Sequence, residues 1–135
     1  DLKPSADLAG AYLFYADLRD ADLSIANLSG ADLALADLSG AKLVLADLSG
    51  ADLNLTVLGG ADLSGAILEV DDYSGATWEG AFYRTENEPT WATGMDSAWR
   101  LAAGIVAVDP INVVPEPATL LLAFFGMAML PRRRR

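Results

Sequence analysis

Leucine recurs at every fifth position over more than half of the chain, and alanine stands two residues before nearly every leucine. An Asp or Asn usually lies between the two. The leucines of this run are Leu8, Leu13, Leu18, Leu23, Leu28, Leu33, Leu38, Leu43, Leu48, Leu53, Leu58, Leu63 and Leu68. An α-helix would scatter them around its surface, and a flat strand would place successive ones on opposite faces. Each five-residue unit must therefore turn a corner before the next unit begins.

Within one unit the chain is predicted to be extended, so that Ala and Leu point to the same side while the Asp between them points outward. Many units end in a Ser-Gly pair, such as Ser39-Gly40, and this pair is typical of turns. The pattern predicts a coiled tube with Leu and Ala inside and carboxylates outside. Units that end in Ser-Gly alternate with units that end in an apolar residue. Units with the same kind of ending lie above one another in successive coils only if each coil holds an even number of units. A coil of four units therefore fits the alternation, and a coil of three does not.

The alternate units end in Tyr15, Ile25, Leu35, Leu45 and Leu55. Four units per coil place Tyr15, Leu35 and Leu55 along one edge of the tube, and Ile25 and Leu45 along the opposite edge. If these side chains point outward, they form two hydrophobic stripes that are candidate interaction surfaces. If they fold back, they cover only the backbone of the turn. The sequence leaves both arrangements open.

Units such as Ala31-Asp32-Leu33-Ala34-Leu35 and Ala46-Asp47-Leu48-Ser49-Gly50 resemble those of the pentapeptide-repeat family. The resemblance implies an all-β solenoid, a right-handed quadrilateral β-helix with four units per coil. We assign residues 1–83 to this β-helix and residues 84–113 to a C-terminal cap or linker.

The repeat pattern changes near residue 70, where the tube is expected to close. The inward position there changes from leucine to the aromatic residues Tyr73, Trp78 and Tyr83. Asp71 takes the place of the inward Ala. Residues 95–104 are predicted to form a short helix, with Asp96 capping its start and Gly104 ending it. The cap is expected to fold over this end of the tube.

The segment 114–135 has three parts in order. Val114 precedes the motif Pro115-Glu116-Pro117, an apolar stretch follows from 118 to 130, and the chain ends in Arg132, Arg133, Arg134 and Arg135. As a helix the apolar stretch would extend about 20 Å, which is short of the ~30 Å hydrocarbon core of a bilayer. The Arg cluster predicts that this end stays on the cytoplasmic side.

This order of parts closely resembles the PEP-CTERM sorting signal of Gram-negative bacteria. The resemblance implies a short hydrophobic C-terminal helix, recognition and cleavage by an exosortase, and transient residence in the inner membrane. It also implies export through the Sec pathway to the cell surface or the extracellular matrix. No signal peptide precedes Asp1 in this sequence, so we expect an N-terminus that is truncated or processed.

The composition excludes several kinds of binding partner and reactive site. The chain has 9 Lys+Arg and 19 Asp+Glu, and without the four terminal Arg a body with 5 basic residues and a net charge of −14 remains. Such a body repels nucleic acid and anionic membrane surfaces. With no Cys and no His, the chain can form no disulfide, and it lacks thiolate and imidazole chemistry and the common zinc sites.

Coils of four units would align outward carboxylates into ladders, one with Asp32, Asp52 and Asp72 and another that begins with Asp17 and Asp37. Carboxylates about 5 Å apart have the separation of a retaining glycosidase pair, and they could share a Ca²⁺ ion. They are also simply the solvent-facing residues of the repeat. Because no cleft or second functional group accompanies the ladders, we predict no enzyme activity, no cofactor and no metal site, and leave weak Ca²⁺ binding open.

Two functions from different classes remain. The first is an exported structural or interaction protein of the cell surface or the extracellular polysaccharide matrix, with a surface polysaccharide or a second copy as its partner. The alternative is an acidic mimic of DNA, because certain cytoplasmic pentapeptide-repeat proteins resemble duplex DNA and bind DNA gyrase. The short solenoid and the sorting tail favour the first function, and an enzyme acting on surface glycans ranks well behind both.

Overall fold

The structure is a computed structural model that describes residues 5–109. In its repetitive part, each five-residue unit pairs in parallel with the unit that lies twenty residues further along the chain. Asp7, for example, pairs with Asn27, and Asn27 pairs with Asp47. One coil therefore consists of twenty residues in four units, which confirms the four-sided tube predicted from the alternation of unit endings.

Four ladders of paired residues define the four faces of the tube. The paired outward residues are Asp7, Asn27, Asp47 and Ile67 on face 1; Tyr12, Asp32, Asp52 and Asp72 on face 2; Asp17, Asp37, Val57 and Thr77 on face 3; and Asp22, Lys42, Asp62 and Phe82 on face 4. Each corner carries the number of the face that it follows along the chain. Corner 2 thus joins face 2 to face 3, and corner 4 leads from face 4 to face 1 of the next coil.

Backbone hydrogen bonds join the coils, and leucine side chains fill the lumen. The N–H of Leu28 donates to the carbonyl of Asp47 at 2.7 Å, and the N–H of Asp47 donates to the carbonyl of Ala26 at 2.9 Å. The leucines at every fifth position from Leu23 to Leu68 are fully buried. Since full burial of one leucine contributes about 1.5–3 kcal/mol, the lumen is the main source of stability.

A threonine replaces one inward alanine without leaving a buried polar group unpaired. Thr56 is fully buried. Its hydroxyl donates to the carbonyl of Leu33 in the preceding coil at 2.8 Å. A buried hydroxyl without an acceptor would be destabilising, so this bond makes the polar substitution tolerable.

The prediction that Asp71 stands at an inward position is wrong. Val70 is buried and Asp71 is exposed. Residues 69 and 70 do not form a turn like those of the preceding coils, and the Asp71 carboxylate lies near Gly50, whose Cβ, if present, would be 3.9 Å from Asp71 Oδ1. The physical reason is that an unpaired carboxylate in the lumen would lose its hydration, whereas Val70 gains from burial there.

The last part of the described chain forms a fifth, less regular coil. The coil below it contributes β1 (Ile67–Leu68) and β2 (Phe82–Arg84). The fifth coil contains a 3₁₀ turn (Thr85–Asn87), β3 (Thr90–Trp91), α1 (Ser97–Ala102) and β4 (Val106–Val108). Strand β1 pairs in parallel with β3, and β2 pairs in parallel with β4. Strand β3 thus stacks on face 1 and β4 on face 4, so the segment between them, which contains α1, takes the place of faces 2 and 3 of a regular coil.

Helix α1 begins and ends as its sequence predicts. The Asp96 side chain accepts a hydrogen bond from the N–H of Trp99 at 2.8 Å, and Gly104 follows the helix with a φ of 79°. The Trp99 ring lies edge-on to Tyr73 at 5.3 Å and to Trp78 at 5.9 Å between centroids. The aromatic residues of the last regular coil therefore pack against α1.

Candidate interaction surface

Every regular corner is a tight turn whose third residue has a positive φ. At the first corner, the N–H of Ala11 donates to the carbonyl of Leu8 at 3.0 Å, and Gly10 has a φ of 65°. This left-handed backbone is free of strain only for glycine, because other side chains clash with the following carbonyl. Apart from Asp20 and the departure at residues 69 and 70, corners 1 and 3 place glycine at this position.

Between residues 15 and 55, corners 2 and 4 instead place large apolar residues in the same left-handed conformation, whereas Ser5, Gly65 and Gly75 take the equivalent positions in the first and last coils. Their φ values are 63° for Tyr15, 61° for Ile25, 60° for Leu35, 57° for Leu45 and 56° for Leu55. A left-handed residue other than glycine costs roughly 1–2 kcal/mol, and a β-branched residue such as isoleucine is a true outlier there. The fold itself does not need these side chains, since glycine makes the equivalent turns at the other two corners.

The corner side chains point outward and remain exposed. Among the described residues, the large exposed hydrophobic side chains are those of Tyr12, Phe14, Tyr15, Ile25, Leu35, Leu45, Leu55, Val57 and Leu101. Except for Leu101 in α1, all of them belong to corner 2, to corner 4 or to a face that borders corner 2. Exposed apolar residues that gather in this way mark an interaction site, whereas scattered ones do not.

The corner leucines also lean over the next coil. A Cβ atom built on Gly65 would lie 2.6 Å from Cδ2 of Leu45, and one on Gly75 would lie 2.6 Å from Cδ2 of Leu55. Both leucines nevertheless keep about half of their surface exposed, 55% for Leu45 and 49% for Leu55. The two arrangements that the sequence left open therefore coexist, because each side chain covers the following turn and still presents apolar surface to solvent.

The carboxylates on the faces cap the turns that follow them. Oδ1 of Asp47 accepts hydrogen bonds from the Ser49 backbone N–H at 2.9 Å and from the Ser49 hydroxyl at 2.5 Å. These bonds favour the charged form, so they hold the pKa of Asp47 below its ordinary value of 3.8. Serines two residues further on lower the pKa values of Asp22, Asp37 and Asp72 in the same way.

The Asp17 carboxylate on face 3 has a cationic partner on the neighbouring corner. Arg19 donates to Asp17 through Nε at 2.8 Å and through Nη2 at 2.7 Å. This bidentate contact lowers the pKa of Asp17 to about 2. Asp17 pairs with Asp37 from coil to coil, and Asp52 pairs with both Asp32 and Asp72, so both predicted carboxylate ladders are present.

The groove beside the cap does not contain a carboxyl group suited to acid catalysis. One shallow groove of about 550 Å³ is lined by Tyr73, Trp99, Asp71, Asp72 and Ser74, among others. The Ser74 hydroxyl and backbone N–H both donate to Asp72 and lower its pKa. A general acid in glycoside hydrolysis needs a raised pKa, and this carboxyl has the opposite shift. Within residues 5–109, no group of three or more acidic residues could hold a metal ion.

The comparisons with known proteins agree with this architecture. A family model described as pentapeptide repeats matches residues 6–43 and 31–69. A pentapeptide repeat protein from Nostoc Pcc 7120 is 34% identical, with 76% of this chain and 84% of that chain covered and a TM-score of 0.50. The chain belongs to the pentapeptide-repeat family.

A second solved pentapeptide-repeat structure, from the Arabidopsis thaliana thylakoid lumen, is 27% identical with a TM-score of 0.61, covering 86% of this chain and 72% of that one. No curated protein matches the chain. Pentapeptide-repeat proteins form right-handed quadrilateral β-helices, as the sequence predicts. They are generally structural or interaction proteins.

The predicted functional residues of this pentapeptide-repeat protein divide into two groups. The candidate stripes lie where the sequence places them, with Tyr15, Leu35 and Leu55 on corner 2 and Ile25 and Leu45 on corner 4. The sorting motif at 114–117 and the Arg cluster at 132–135 lie outside the described residues. Within the described part of the chain, no helix has the length and apolar character needed to cross a membrane.

Three residues of the apolar surface were not identified from the sequence. Tyr12 and Val57 occupy outward positions where most units carry Asp or Asn, and Phe14 occupies a position where many carry Ser. All three are exposed, and Tyr12 reaches 92%. The signal was present in the sequence, because each is an apolar residue in a slot of the repeat that is usually polar.

Proposed function

We propose that this protein is an exported structural protein of the cell surface or the extracellular polysaccharide matrix, and that it acts by binding through corners 2 and 4. The apolar corners are the observation that carries the proposal. They hold large exposed side chains in a backbone conformation that strains every residue except glycine. A strained conformation is retained where it serves a function, and a binding surface gives these side chains one.

Binding rather than catalysis is the role that the carboxylates support. Serine hydroxyls and backbone amides hold Asp22, Asp37, Asp47 and Asp72 in the charged form, so these groups are poor proton donors near neutral pH. They stabilise the turns by accepting hydrogen bonds, and their charge keeps the tube soluble. The protein is therefore proposed to have no enzymatic activity and no cofactor.

The destination is proposed from the sequence of the C-terminal segment. Pro115-Glu116-Pro117, the apolar stretch 118–130 and the terminal Arg cluster match the order of a PEP-CTERM signal. An exosortase would recognise this segment in the inner membrane and release the solenoid to the outer side. The surface polysaccharide and other copies of the chain are the partners that it would meet there.

Cell fractionation of the native host, followed by the intact mass of the recovered protein, tests this proposal. We expect a species outside the cytoplasm that ends near residues 115–117. Glu116→Ala is expected to leave the protein in the inner membrane with Arg135 intact, while the matched control Glu69→Ala, on the exposed surface of the tube, is processed normally. Soluble cytoplasmic protein with an intact tail would contradict export.

A mimic of DNA is the second candidate, and the carboxylate ladders favour it. Asp32, Asp52 and Asp72 align along face 2, and Asp17 and Asp37 along face 3. The exposed apolar side chains of corner 2 interrupt this acidic surface, since the corner lies between the two ladders. Recovery of the intact protein from the cytoplasm would favour the mimic, and its binding to DNA gyrase would then be the measurement to make.

A further inference from the structure

The exposed aromatic side chains of the described chain all lie in its first coil and on one side of the tube. Tyr12 stands on face 2 with 92% of its surface exposed, and Phe14 and Tyr15 follow on corner 2 with 57% and 72% exposed. The rings of Phe14 and Tyr15 are 5.8 Å apart between centroids and tilted by 53°. Exposed rings grouped in this way suit a ligand that has flat apolar faces of its own.

Carboxylates continue the line of Tyr12 along face 2. Tyr12 pairs with Asp32, Asp32 with Asp52, and Asp52 with Asp72. This ladder extends over three coil spacings, about 14 Å. Oδ1 of each carboxylate accepts the N–H two residues further on, while the described residues donate no hydrogen bond to Oδ2. Each coil above the first therefore offers one anionic oxygen to a ligand that lies along the tube axis.

The groove beside the cap lies at the upper end of the same side. Asp72 and Ser74 in its lining belong to face 2 and corner 2, and Trp99 of α1 also lines it. The exposed side chains of Leu35 and Leu55 lie on corner 2 between this groove and the aromatic rings of the first coil. We call this continuous surface of face 2 and corner 2, from Tyr12 to the groove, the corner 2 surface.

The corner 2 surface is strongly acidic on both of its borders. Asp17 and Asp37 on face 3 stand across corner 2 from the ladder on face 2. Arg19 is paired with Asp17 at 2.7 Å, and Arg100 in the cap is paired with Glu88 at 3.0 Å. The remaining cations of the described chain belong to face 4 and to the strand stacked on it, Lys42 and Arg84. A polyanionic ligand would therefore be repelled here, and a ligand with positive charges would be attracted.

A peptide is a poor candidate for this surface. The backbone of face 2 is already paired between coils, since the N–H of Leu33 donates to the carbonyl of Asp52 and the N–H of Asp52 donates to the carbonyl of Ala31. An added strand would find no free edge there, and a docked helix needs an apolar groove, whereas corner 2 is a convex edge. A sugar ring instead presents a flat C–H face that stacks on an exposed aromatic ring, and polar groups around its rim that reach carboxylates.

We propose that the corner 2 surface binds a polysaccharide that contains free, positively charged amino sugars. Sugar rings stack on the three aromatic rings of the first coil, and ammonium groups pair with Oδ2 of Asp32 and Asp52. Successive coils, ~4.8 Å apart, each offer one carboxylate to a chain that runs along the tube. The inference deepens the proposed function, on which it rests for its setting, because it names the class of surface polysaccharide.

Isothermal titration calorimetry of the full-length protein tests the class of ligand. The probes are a linear hexamer of glucosamine, its N-acetylated counterpart and hexalysine. We expect the glucosamine hexamer to bind at least about tenfold more tightly than the N-acetylated hexamer, because acetylation keeps the rings and removes the charge. Hexalysine keeps the charge without the rings, so it should also bind more weakly. Raising NaCl from about 0.05 M to about 0.5 M should weaken the binding of the glucosamine hexamer, since salt screens exposed charges.

Two pairs of carboxylate substitutions locate the site. Asp32→Asn with Asp52→Asn neutralises part of the ladder on face 2, and Asp7→Asn with Asp47→Asn makes the same change in net charge on face 1. Asparagine can keep the turn, because Asn27 accepts the N–H two residues further on at 3.1 Å. The pair on face 2 is expected to weaken binding of the glucosamine hexamer about tenfold, and the pair on face 1 by less than about twofold.

Aromatic substitutions test the stacking. Tyr15→Gly on corner 2 and Ile25→Gly on corner 4 both replace a left-handed residue with the one that fits the turn. Tyr12→Ala removes the ring on face 2. We expect Tyr12→Ala and Tyr15→Gly each to weaken binding about threefold to tenfold, while Ile25→Gly leaves it unchanged. Circular dichroism verifies that each variant is folded before its titration is compared.

Failure of this inference can be distinguished from failure of the proposed export. No binding of the glucosamine hexamer, or equal losses from the substitutions on faces 1 and 2, would refute the site wherever the protein is recovered. Equal binding of the N-acetylated hexamer would refute the pairing of ammonium groups with carboxylates. Hexalysine that binds as tightly, and is weakened by the same variants, would make a cationic peptide the partner and also refute the proposal. Specific binding of the glucosamine hexamer by a protein that stays in the cytoplasm with its tail intact would retain the site and refute the destination.

Discussion

Two leucines of neighbouring units, three residues apart in the chain, should differ strongly in how much stability is lost when they are truncated. Leu48 lies in the lumen and is 0% exposed, whereas Leu45 lies on corner 4, is 55% exposed and has a φ of 57°. We compare Leu48→Ala with Leu45→Gly. The first deletes packed side-chain atoms from the core. The second replaces a strained residue with the one that the same turn uses at corners 1 and 3.

The expected magnitudes follow from these environments. Leu48→Ala should lower the free energy of unfolding by about 2–5 kcal/mol, because the closed lumen can relax only partly around the cavity. Leu45→Gly relieves about 1–2 kcal/mol of left-handed strain. It loses about 1 kcal/mol from a half-buried side chain and roughly 0.5–1 kcal/mol from the greater freedom of glycine in the unfolded chain. The net change should be within about 1 kcal/mol of zero.

Urea unfolding followed by circular dichroism measures both changes. With an m-value of about 2 kcal/mol/M, Leu48→Ala should lower the unfolding midpoint by about 1–2.5 M, and Leu45→Gly should move it little. Equal m-values for all three proteins are required, since solenoids can lose cooperativity. If Leu45→Gly were as destabilising as Leu48→Ala, the corner side chain would be part of the core and the argument for an interaction surface would fail.

Two further predictions concern the turns and the end of the tube. The lowered pKa of Asp37 means that its contribution to stability is present above its ordinary value of 3.8 and is lost as the pH falls through the lower pKa of the folded state. Ser39→Ala should raise that pKa and reduce the loss in acid, as an NMR titration of the carboxyl carbon would reveal; an unchanged pKa would refute the role of the hydroxyl. Gly104→Ala should destabilise the protein more than Gly10→Ala, as thermal unfolding would measure. Both glycines have positive φ, but only the Cβ on Gly104 would approach backbone, at 3.2 Å from the Cα of Glu79. Equal losses would mean that the chain around Glu79 moves freely.

Much of the fold could be predicted because the repeat is both local and strict. Once Ala and Leu are assigned to the inside, a five-residue unit has to turn, and the alternation of unit endings selects four sides. The start of α1 could also be predicted, since the Asp96 cap is formed within one turn of the chain. These features depend on residues that are close in sequence.

The candidate site could be predicted only in part. The positions of Tyr15, Leu35 and Leu55 on one edge follow from the repeat, but the direction of their side chains does not. Leu55 extends over Gly75 because glycine leaves space there, and Gly75 belongs to the following coil. Exposure at a corner thus depends on residues about twenty positions away, which a reading of one unit does not include.

The sequence by itself determined the period, the contents of the lumen and the two edges on which the apolar corners lie. It could do so because Ala and Leu at fixed positions in a five-residue unit can be buried together only inside a tube. The tertiary structure alone decided that Val70 is buried while Asp71 lies outside, and that each corner side chain covers the next turn and still exposes apolar surface. The physical reason is that burial is set by the coil stacked above or below, so a break in the repeat is resolved by whichever side chain costs less to remove from water.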